Sequence, residues 1–352
     1  MNDLTNNSIF GRLEDTQITS MISLPNLAVI IINWNSWKDT IECLESLLKS
    51  ECFGFHLIIL DNGSMDNSIY EIKKWLKGTF GEHKDIQSFI STHSTDRKLE
   101  LFQYNPTTYF IVTGENFGFC NGNNIAIEHA LLNTDIEYVF LLNNDTKIKP
   151  NCLIECIESA KEIKADIIGA MVKSIDGNKL LFGGRIFPDR LFFLNFTPTQ
   201  TSRYFKVDRV EGSGMVISRK YLLMLKELRG YYFDPLFFMY CEDVELCLRA
   251  KSIGLEVGMA RDAILYHKHS KSSGGHGNPY SYYYITRNRI FLAKMFLSLF
   301  WKIIFHVYYI SSRMLSVLFK IIRGKRIVAN AIIEALIDGY FHKGGKWQKH
   351  IG

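Results

Sequence analysis

The stretch Tyr138-Val-Phe-Leu-Leu-Asn-Asn-Asp-Thr146 drives an unbroken apolar run into a cluster of short polar side chains ending in a carboxylate. An apolar run of this length, bounded by turn formers, reads as an interior strand of a parallel sheet. Ligands of open α/β sheets sit at the carboxyl ends of such strands. Asp145, with Asn144 beside it, therefore lies where a phosphate-bearing ligand is expected. Asn143, Asn144 and Asp145 equally suit a turn that caps a helix beginning near Pro150.

Upstream, residues 27–32 are an apolar, β-branched strand ending in Asn33-Trp34-Asn35, and Ser36 is placed to cap a helix running to about Lys49. Residues 55–60 form a second strand that runs into Asp61-Asn-Gly-Ser-Met-Asp66, with a helix from about Asn67 to Lys77. Strand, helix, strand, helix at this spacing is a βαβ unit, whose strand ends gather along one edge of the sheet. Asn35, Asp61 and Asp145 are brought together by topology alone. Residues 78–100 are polar and poorly periodic and predict a surface insertion.

A strand over 109–113 leads into Asn116-Phe-Gly-Phe-Cys-Asn-Gly-Asn-Asn124 and then a helix to about Leu132. Glycines between a strand and a helix let backbone approach a ligand, although packing or capping would use them equally well. A helix over 151–164 and a strand over 166–172 complete an α/β unit with a parallel sheet. The character then changes. Residues 180–217 are strand-like, interrupted by Gly183-Gly-Arg-Ile-Phe and by Glu211-Gly-Ser-Gly-Met215, which predicts added strands on the far side of a cleft. After a helix near 219–228, Phe237-Phe-Met-Tyr-Cys-Glu-Asp-Val-Glu-Leu-Cys-Leu-Arg249 places Glu242 and Asp243 in a helical first turn. Acids there complement the positive helix end. Emerging from an aromatic wall, they also gain the raised proton affinity that general-base work needs. Ala263-Ile-Leu-Tyr-His-Lys-His-Ser270 ends a strand in two histidines, and a Gly/Ser-rich loop follows to about Asn278.

Composition bounds the reading. A chain of 352 residues, 47% hydrophobic and 22% charged, can bury a sizeable core and is not a disordered chain. The seven cysteines are odd in number with no Cys-x-x-Cys pair, which predicts neither a disulfide framework nor a zinc site and fits a reducing, cytosolic setting. Residues 1–23 are polar and mixed in charge, so no secretory signal is expected, only a loosely ordered arm over 1–24.

The ordered series Ile-Ile-Asn-Trp-Asn, Asp-Asn-Gly-Ser-x-Asp, Asn-Phe-Gly-Phe with Gly-Asn-Asn, Leu-Leu-Asn-Asn-Asp-Thr, Gly-Ser-Gly-Met, Tyr-x-Glu-Asp-Val-Glu-Leu and Tyr-His-x-x-Ser resembles family 2 glycosyltransferases of the GT-A fold. It is most similar to the rhamnosyltransferase-like members of bacterial surface polysaccharide synthesis. The resemblance covers roughly residues 26–290 and implies inverting transfer of a sugar from a nucleotide diphosphate sugar to an acceptor hydroxyl. It implies a divalent cation, Mn2+ or Mg2+, on the diphosphate, with Asp145 and His267 as ligands and His269 as the less suited imidazole. Asn143 stands where the older pattern has an acid, and Asn121 where relatives have a small residue. Asp61 resembles the residue that bonds the base, with Asn33 and Asn35 near the nucleoside and Asn116, Gly118 and Asn144 on the donor. Asp243 matches the catalytic base. Glu242, Gly212, Ser213 and Gly214 fall on the acceptor side or support the site.

Residues 281–352, outside the 25–280 catalytic region, hold about twelve Lys/Arg against two acids. Arg287 or Arg289, in Tyr282-Tyr-Tyr-Ile-Thr-Arg-Asn-Arg289, could reach back to the diphosphate or meet a surface. Residues 290–323 are helical in period: Lys294, Ser298, Lys302, His306, Tyr309, Ser312, Arg313, Ser316, Lys320 and Arg323 share an arc of about 120°, and the remainder is almost entirely apolar. A basic stripe of this kind predicts a helix lying on an anionic membrane rather than crossing it; taken with the resemblance, this implies a protein peripheral on the inner face of the bacterial plasma membrane. A helix packed on the catalytic domain or in a homodimer has the same pattern. So much apolar content argues against nucleic acid. Two functions fit: a metal-dependent, inverting glycosyltransferase acting on a lipid-linked glycan, or a catalytically silent nucleotide-sugar-binding subunit of a polysaccharide assembly complex. Both Asp145 and Asp243 are present, which favours the enzyme.

Overall fold

The computed structural model describes residues 21–24, 26–93, 98–175, 180–181, 184–187, 192–195, 202–268 and 278–348. The first half alternates strands and helices. Strands β1 (Ile22–Ser23), β2 (Leu27–Asn33), β3 (Cys52–Phe53) and β4 (His56–Asp61) enclose helix α1 (Trp37–Leu47), and α2 (Ser68–Phe80) follows. Next come β5 (Lys84–Ile90), β6 (Lys98–Asn105), β7 (Thr108–Val112), helix α3 (Gly118–Ala130), β8 (Tyr138–Asn143), β9 (Thr146–Ile148) and α4 (Cys152–Ile163). The second half is richer in short strands: β10 (Ile167–Ser174), β11 (Leu180–Leu181), β12 (Gly184–Phe187), β13 (Phe192–Asn195), β14 (Tyr204–Lys206) and β15 (Gly214–Ser218). Helices α5 (Arg219–Arg229) and α6 (Glu242–Ser252), strand β16 (Val257–His267), and helices α7 (Pro279–Phe296), α8 (Leu299–Ile322) and α9 (Arg326–Tyr340) complete the chain.

One sheet organises the molecule, in the order β14-β16-β10-β15-β8-β2-β4-β7-β6-β5, with β9 and β11 attached at β16 and β10. Strands β8, β2, β4 and β7 run parallel, and β10 runs parallel to β16. Alternate residues of a strand face opposite sides. Ala28 and Ile30 of β2 enter one core with α3 and α6, while Val29 and Ile31 enter a second core with α1 and α4. Both faces being covered explains why β2, β4 and β8 read as continuous apolar runs.

Register sets the site. Asn33 lies opposite Asp61, Ile32 opposite Asn143, and Asp61 opposite Val112, so four strand ends finish level along one edge. Three expectations are corrected. Residues 78–100 are not a bare insertion: β5 and β6 form an antiparallel pair that extends the sheet beyond β7. The Gly-rich segment after Asn116 is already helical from Gly118. The single helix over 290–323 is two, because Leu297 and Ser298 adopt extended ψ of 144° and 160° between α7 and α8. The loop from 269 to 277, with His269, lies outside the described residues.

Candidate functional site

The ends of β2 and β4 are tied by one buried network. Asn33 Nδ2 donates to Asp61 Oδ2 (2.7 Å), Thr40 Oγ1 donates to Asn33 Oδ1 (2.7 Å), and Asn144 Nδ2 donates to Thr40 Oγ1 (3.0 Å). Asp61 Oδ1 also accepts from Ser64 N at 2.9 Å, and neither Asn33 nor Asp61 has exposed surface. This pair thus shapes the 62–65 turn from behind. Asn35, with φ of 49°, fixes the turn's outer side by accepting from Met65 N at 2.8 Å.

Asn62 joins this turn to the next strand end. Its Nδ2 donates to Gly118 O (3.0 Å) and its Oδ1 accepts from Phe117 N (3.0 Å), while Asn116 Oδ1 accepts from Gly118 N at 2.8 Å. Two glycines make the approach possible. At Gly63 (φ +71°) a Cβ would fall 2.2 Å from Glu115 C, and at Gly118 (φ +76°) it would fall 2.5 Å from the Phe238 ring.

On the other side of β2, Asp145 meets the end of β16. Strand β9 pairs His267 opposite Thr146, and His267 Nε2 stands 2.8 Å from Asp145 Oδ1, both residues buried. Lys268 N donates to Asp145 O at 3.0 Å, and Lys268 Nζ pairs with Asp39 and Glu42 of α1. A carboxylate and an imidazole facing each other at this range suit a divalent cation that takes its remaining ligands from a diphosphate. No cluster of three or more His, Cys, Asp or Glu suited to a metal occurs among the described residues.

The 212–214 turn links this pair to the acids of α6. Ser213 O accepts from Asn143 N at 3.1 Å, and Gly212 N donates to Asp243 Oδ2 at 3.3 Å. Asp243 Oδ1 accepts from Val244 N at 2.7 Å. Burial raises the Asp243 proton affinity above the ordinary carboxylate range, opposed by the charge of Arg209 and by these backbone donors. Glu242 is pushed up to about 8, by burial first and by the neighbouring Asp243 second. Its Oε2 is buried with no hydrogen-bond partner among the described residues.

The segment entering α6 is strained. Phe238, Tyr240 and Cys241 hold φ of 62°, 65° and 69°, a region that costs a non-glycine residue about 1–2 kcal/mol each. Two residues of α7 hold it. Asn288 Nδ2 donates to Phe237 O (2.9 Å), Met239 O (2.8 Å) and Tyr240 O (2.7 Å). Arg287 donates to Leu236 O (3.2 Å), Phe237 O (2.9 Å) and Gly345 O (2.8 Å). Arg287 has no exposed surface, so its expected contact with the diphosphate is corrected: the guanidinium is committed to backbone carbonyls.

The family model described as "Glycosyltransferase like family 2" matches residues 25–278. The chain belongs to this family. It is 26% identical over 274 residues to the low-salt glycan biosynthesis hexosyltransferase Agl10 of Haloferax volcanii, covering 77% of this chain and 76% of that protein. It is 26% identical over 235 residues to the rhamnosyltransferase WbbL of Escherichia coli, covering 62% of this chain and 85% of that protein. In fold it is similar to S. aureus TarS 1-349 in complex with UDP-GlcNAc (TM-score 0.55, 16% identity, 90% of this chain and 81% of that one). The mannosyltransferase PcManGT from Pyrobaculum calidifontis, in complex with GDP-Man and Mn2+, is also similar (TM-score 0.51, 12% identity, 90% and 88%). The GT-A architecture expected from the motifs is therefore the architecture found, and the protein is a glycosyltransferase.

Motif reading passed over Thr40, Asn62, Arg209 and Asn288. Asn62 sat inside a quoted motif and could have been found there; Thr40 lies one turn into α1, and Arg209 and Asn288 carry no local signal.

Proposed function

We propose that this glycosyltransferase moves a sugar, with inversion, from a nucleotide diphosphate sugar to a hydroxyl of a lipid-linked glycan in cell-surface polysaccharide synthesis. Rhamnose is one candidate sugar. Residues 25–280 form the catalytic unit, and 281–352 hold it as a peripheral protein at the inner face of the plasma membrane. The carrying observation is the 212–214 turn, which bonds Asn143 on the Asp145 and His267 side and Asp243 on the other. On this reading, leaving group and base flank the 212–214 turn. The relatives' names agree with this reading: a hexosyltransferase of glycan biosynthesis and a rhamnosyltransferase.

The donor packs against the strand-end turns that carry Asn33, Asn35, Asp61, Asn116, Gly118 and Asn144. Asp145 and His267 would hold a divalent cation, as GDP-Man and Mn2+ occur together in the mannosyltransferase complex. Such a cation neutralises charge on the departing diphosphate. Asp243 takes the acceptor hydroxyl proton as that oxygen bonds to the anomeric carbon, and the bond from that carbon to the diphosphate oxygen breaks with its electron pair. Attack from the face opposite the diphosphate inverts the centre. The raised proton affinity of Asp243 brings it nearer the value at which a carboxylate accepts a proton effectively. Glu242, neutral below about pH 8, leaves Asp243 the charged member of the pair.

The test is a panel of nucleotide diphosphate sugars, with and without Mn2+, on wild type and Asp243→Asn. Turnover should fall about 10²-fold or more in the variant with donor binding retained. Near-normal turnover would remove Asp243 from the chemistry and point to Glu242. Tight donor binding with no turnover in the wild type would favour the silent binding subunit.

A further inference from the structure

We infer that α8 docks its outward face into the boundary between headgroups and acyl chains of a bilayer, lying along the surface. This deepens the peripheral location proposed above and rests on it, while using none of the candidate active-site residues. The orientation of α8 reverses the sequence expectation. Its polar arc faces the protein: Tyr309 is buried, and Lys302, His306, Ser312, Arg313, Ser316 and Lys320 are half-buried. Lys320 Nζ donates to Tyr282 OH at 2.8 Å, Tyr340 OH and His306 Nδ1 stand 2.9 Å apart, and the Arg313 guanidinium lies over the Tyr309 ring. His306, Arg313 and Lys320 of the basic stripe are therefore spent on α7, α8 and α9 rather than offered to lipid, and only its end at Arg323 is exposed.

The apolar arc faces out. Leu299, Ile303, Val307, Tyr308, Leu318 and Ile322 are 53–77% exposed. At these exposures each side chain leaves roughly 50–100 Å² uncovered. These six alone match the largest patch common on a soluble monomer, about 300–600 Å². On α9 and at its C-terminal cap, Ile333, Ile337 and Phe341 add an exposed strip at four-residue spacing.

Width and charge select the occupant. At about 100° per residue, the exposed apolar positions of α8 sweep about 200° of the helix. A partner helix or a flat protein surface covers a stripe of roughly 100° and leaves the shoulders wet. A fluid acyl boundary covers a convex ridge on both shoulders. Arg323, Lys325 and Arg326 are exposed where α8 turns into α9, and residues 290–333 contain no acid, which complements anionic headgroups. No helix among the described residues is long and apolar enough to cross a membrane, so the 24-residue α8, about 36 Å long, lies in plane.

Because apolar burial dominates, docking should tolerate both neutral lipid and salt. The full-length protein is sedimented with vesicles of phosphatidylcholine, and of phosphatidylcholine with phosphatidylglycerol, at low and high salt. Binding to both is expected, tighter to the anionic vesicles, with high salt removing only that difference. Val307→Glu combined with Leu318→Glu should lower the vesicle-bound fraction constant at least about tenfold. Circular dichroism and donor turnover should stay at wild-type values. Binding indifferent to these substitutions overturns the inference, as does a wild type that remains in the supernatant as a monomer. A supernatant dimer that the substitutions split also overturns it, and assigns the face to a second copy. Vesicle binding that follows the α8 substitutions in a protein that turns over no donor would leave docking standing while the transferase mechanism fell.

Discussion

Asn288→Ala should cost catalysis far more than donor binding. The two N–H groups of the side-chain amide are shared among three carbonyls, those of Phe237, Met239 and Tyr240. Phe237 O keeps its bond from Arg287 in the variant, so two carbonyls, those of Met239 and Tyr240, lose the Asn288 donor. Each lost bond to a part-buried carbonyl is worth about 1–1.5 kcal/mol. Against this, the left-handed conformations of Phe238, Tyr240 and Cys241 together store about 3–6 kcal/mol that the clamp must hold. Removing about 2–3 kcal/mol of restraint shifts the equilibrium between held and relaxed segment by a factor of about 30 to 150 towards the relaxed form. The carboxylate of Asp243 follows immediately, so kcat should fall by up to about 30- to 150-fold. The donor turns built on Asn33, Asp61 and Asn62 make no bond to Asn288, so the Kd for the nucleotide diphosphate should change less than about threefold. Single-turnover rates and calorimetric titration on the same preparation separate the two, with circular dichroism to verify folding. Wild-type turnover in Asn288→Ala, or equal losses in kcat and in donor affinity, would refute the reasoning.

Deprotonated Asp243 is the form able to accept a proton, so kcat/KM should rise with pH through a limb displaced above the ordinary carboxylate range; a limb near pH 4 would oppose the burial argument. Glu242→Gln should leave that acid limb in place and abolish any inflection near pH 8. Gly118→Ala combines a left-handed φ with a Cβ 2.5 Å from the Phe238 ring, and should lower Tm by at least about 4 °C as measured by thermal unfolding. Asp145→Ala should weaken binding of the nucleotide diphosphate at least about tenfold while sparing the bare nucleoside, whereas equal losses in titration would make Asp145 a pocket-shaping residue.

The central sheet was legible because β2, β4 and β8 are buried on both faces and so must be apolar throughout, ending only where Asn33, Asp61 and Asn143 reach the edge. The nearness of Asp145 to His267 was implied by resemblance but not by spacing, since it depends on β9 pairing antiparallel with β16. The clamp was illegible for a different reason. Asn288 and Arg287 bond to carbonyls, which every residue possesses, and the strained positions are Phe, Tyr and Cys rather than the glycine that would announce them. Periodicity also located both faces of α8 but could not say which one meets protein. That depended on Tyr282, Tyr309 and Tyr340 offering rings and hydroxyls to a basic stripe.

The guanidinium of Arg287 grips Leu236 and Phe237 with one hand and Gly345 with the other, and Gly345 N itself donates to Leu236 O at 3.0 Å. Trp347 closes over the same spot, stacked on Tyr283 at 4.5 Å. During synthesis these partners emerge far apart in time. At about 5–20 residues per second, Gly345 leaves the ribosome roughly 5–20 s after Leu236. The sheet and its strand-end turns are complete on the nascent chain well before then, whereas the strained entry to α6 must wait for its last fastening. A nascent chain stalled within α9 would therefore carry a finished donor cradle beside an unset base, and the ability to bind a nucleotide sugar would precede the ability to spend it.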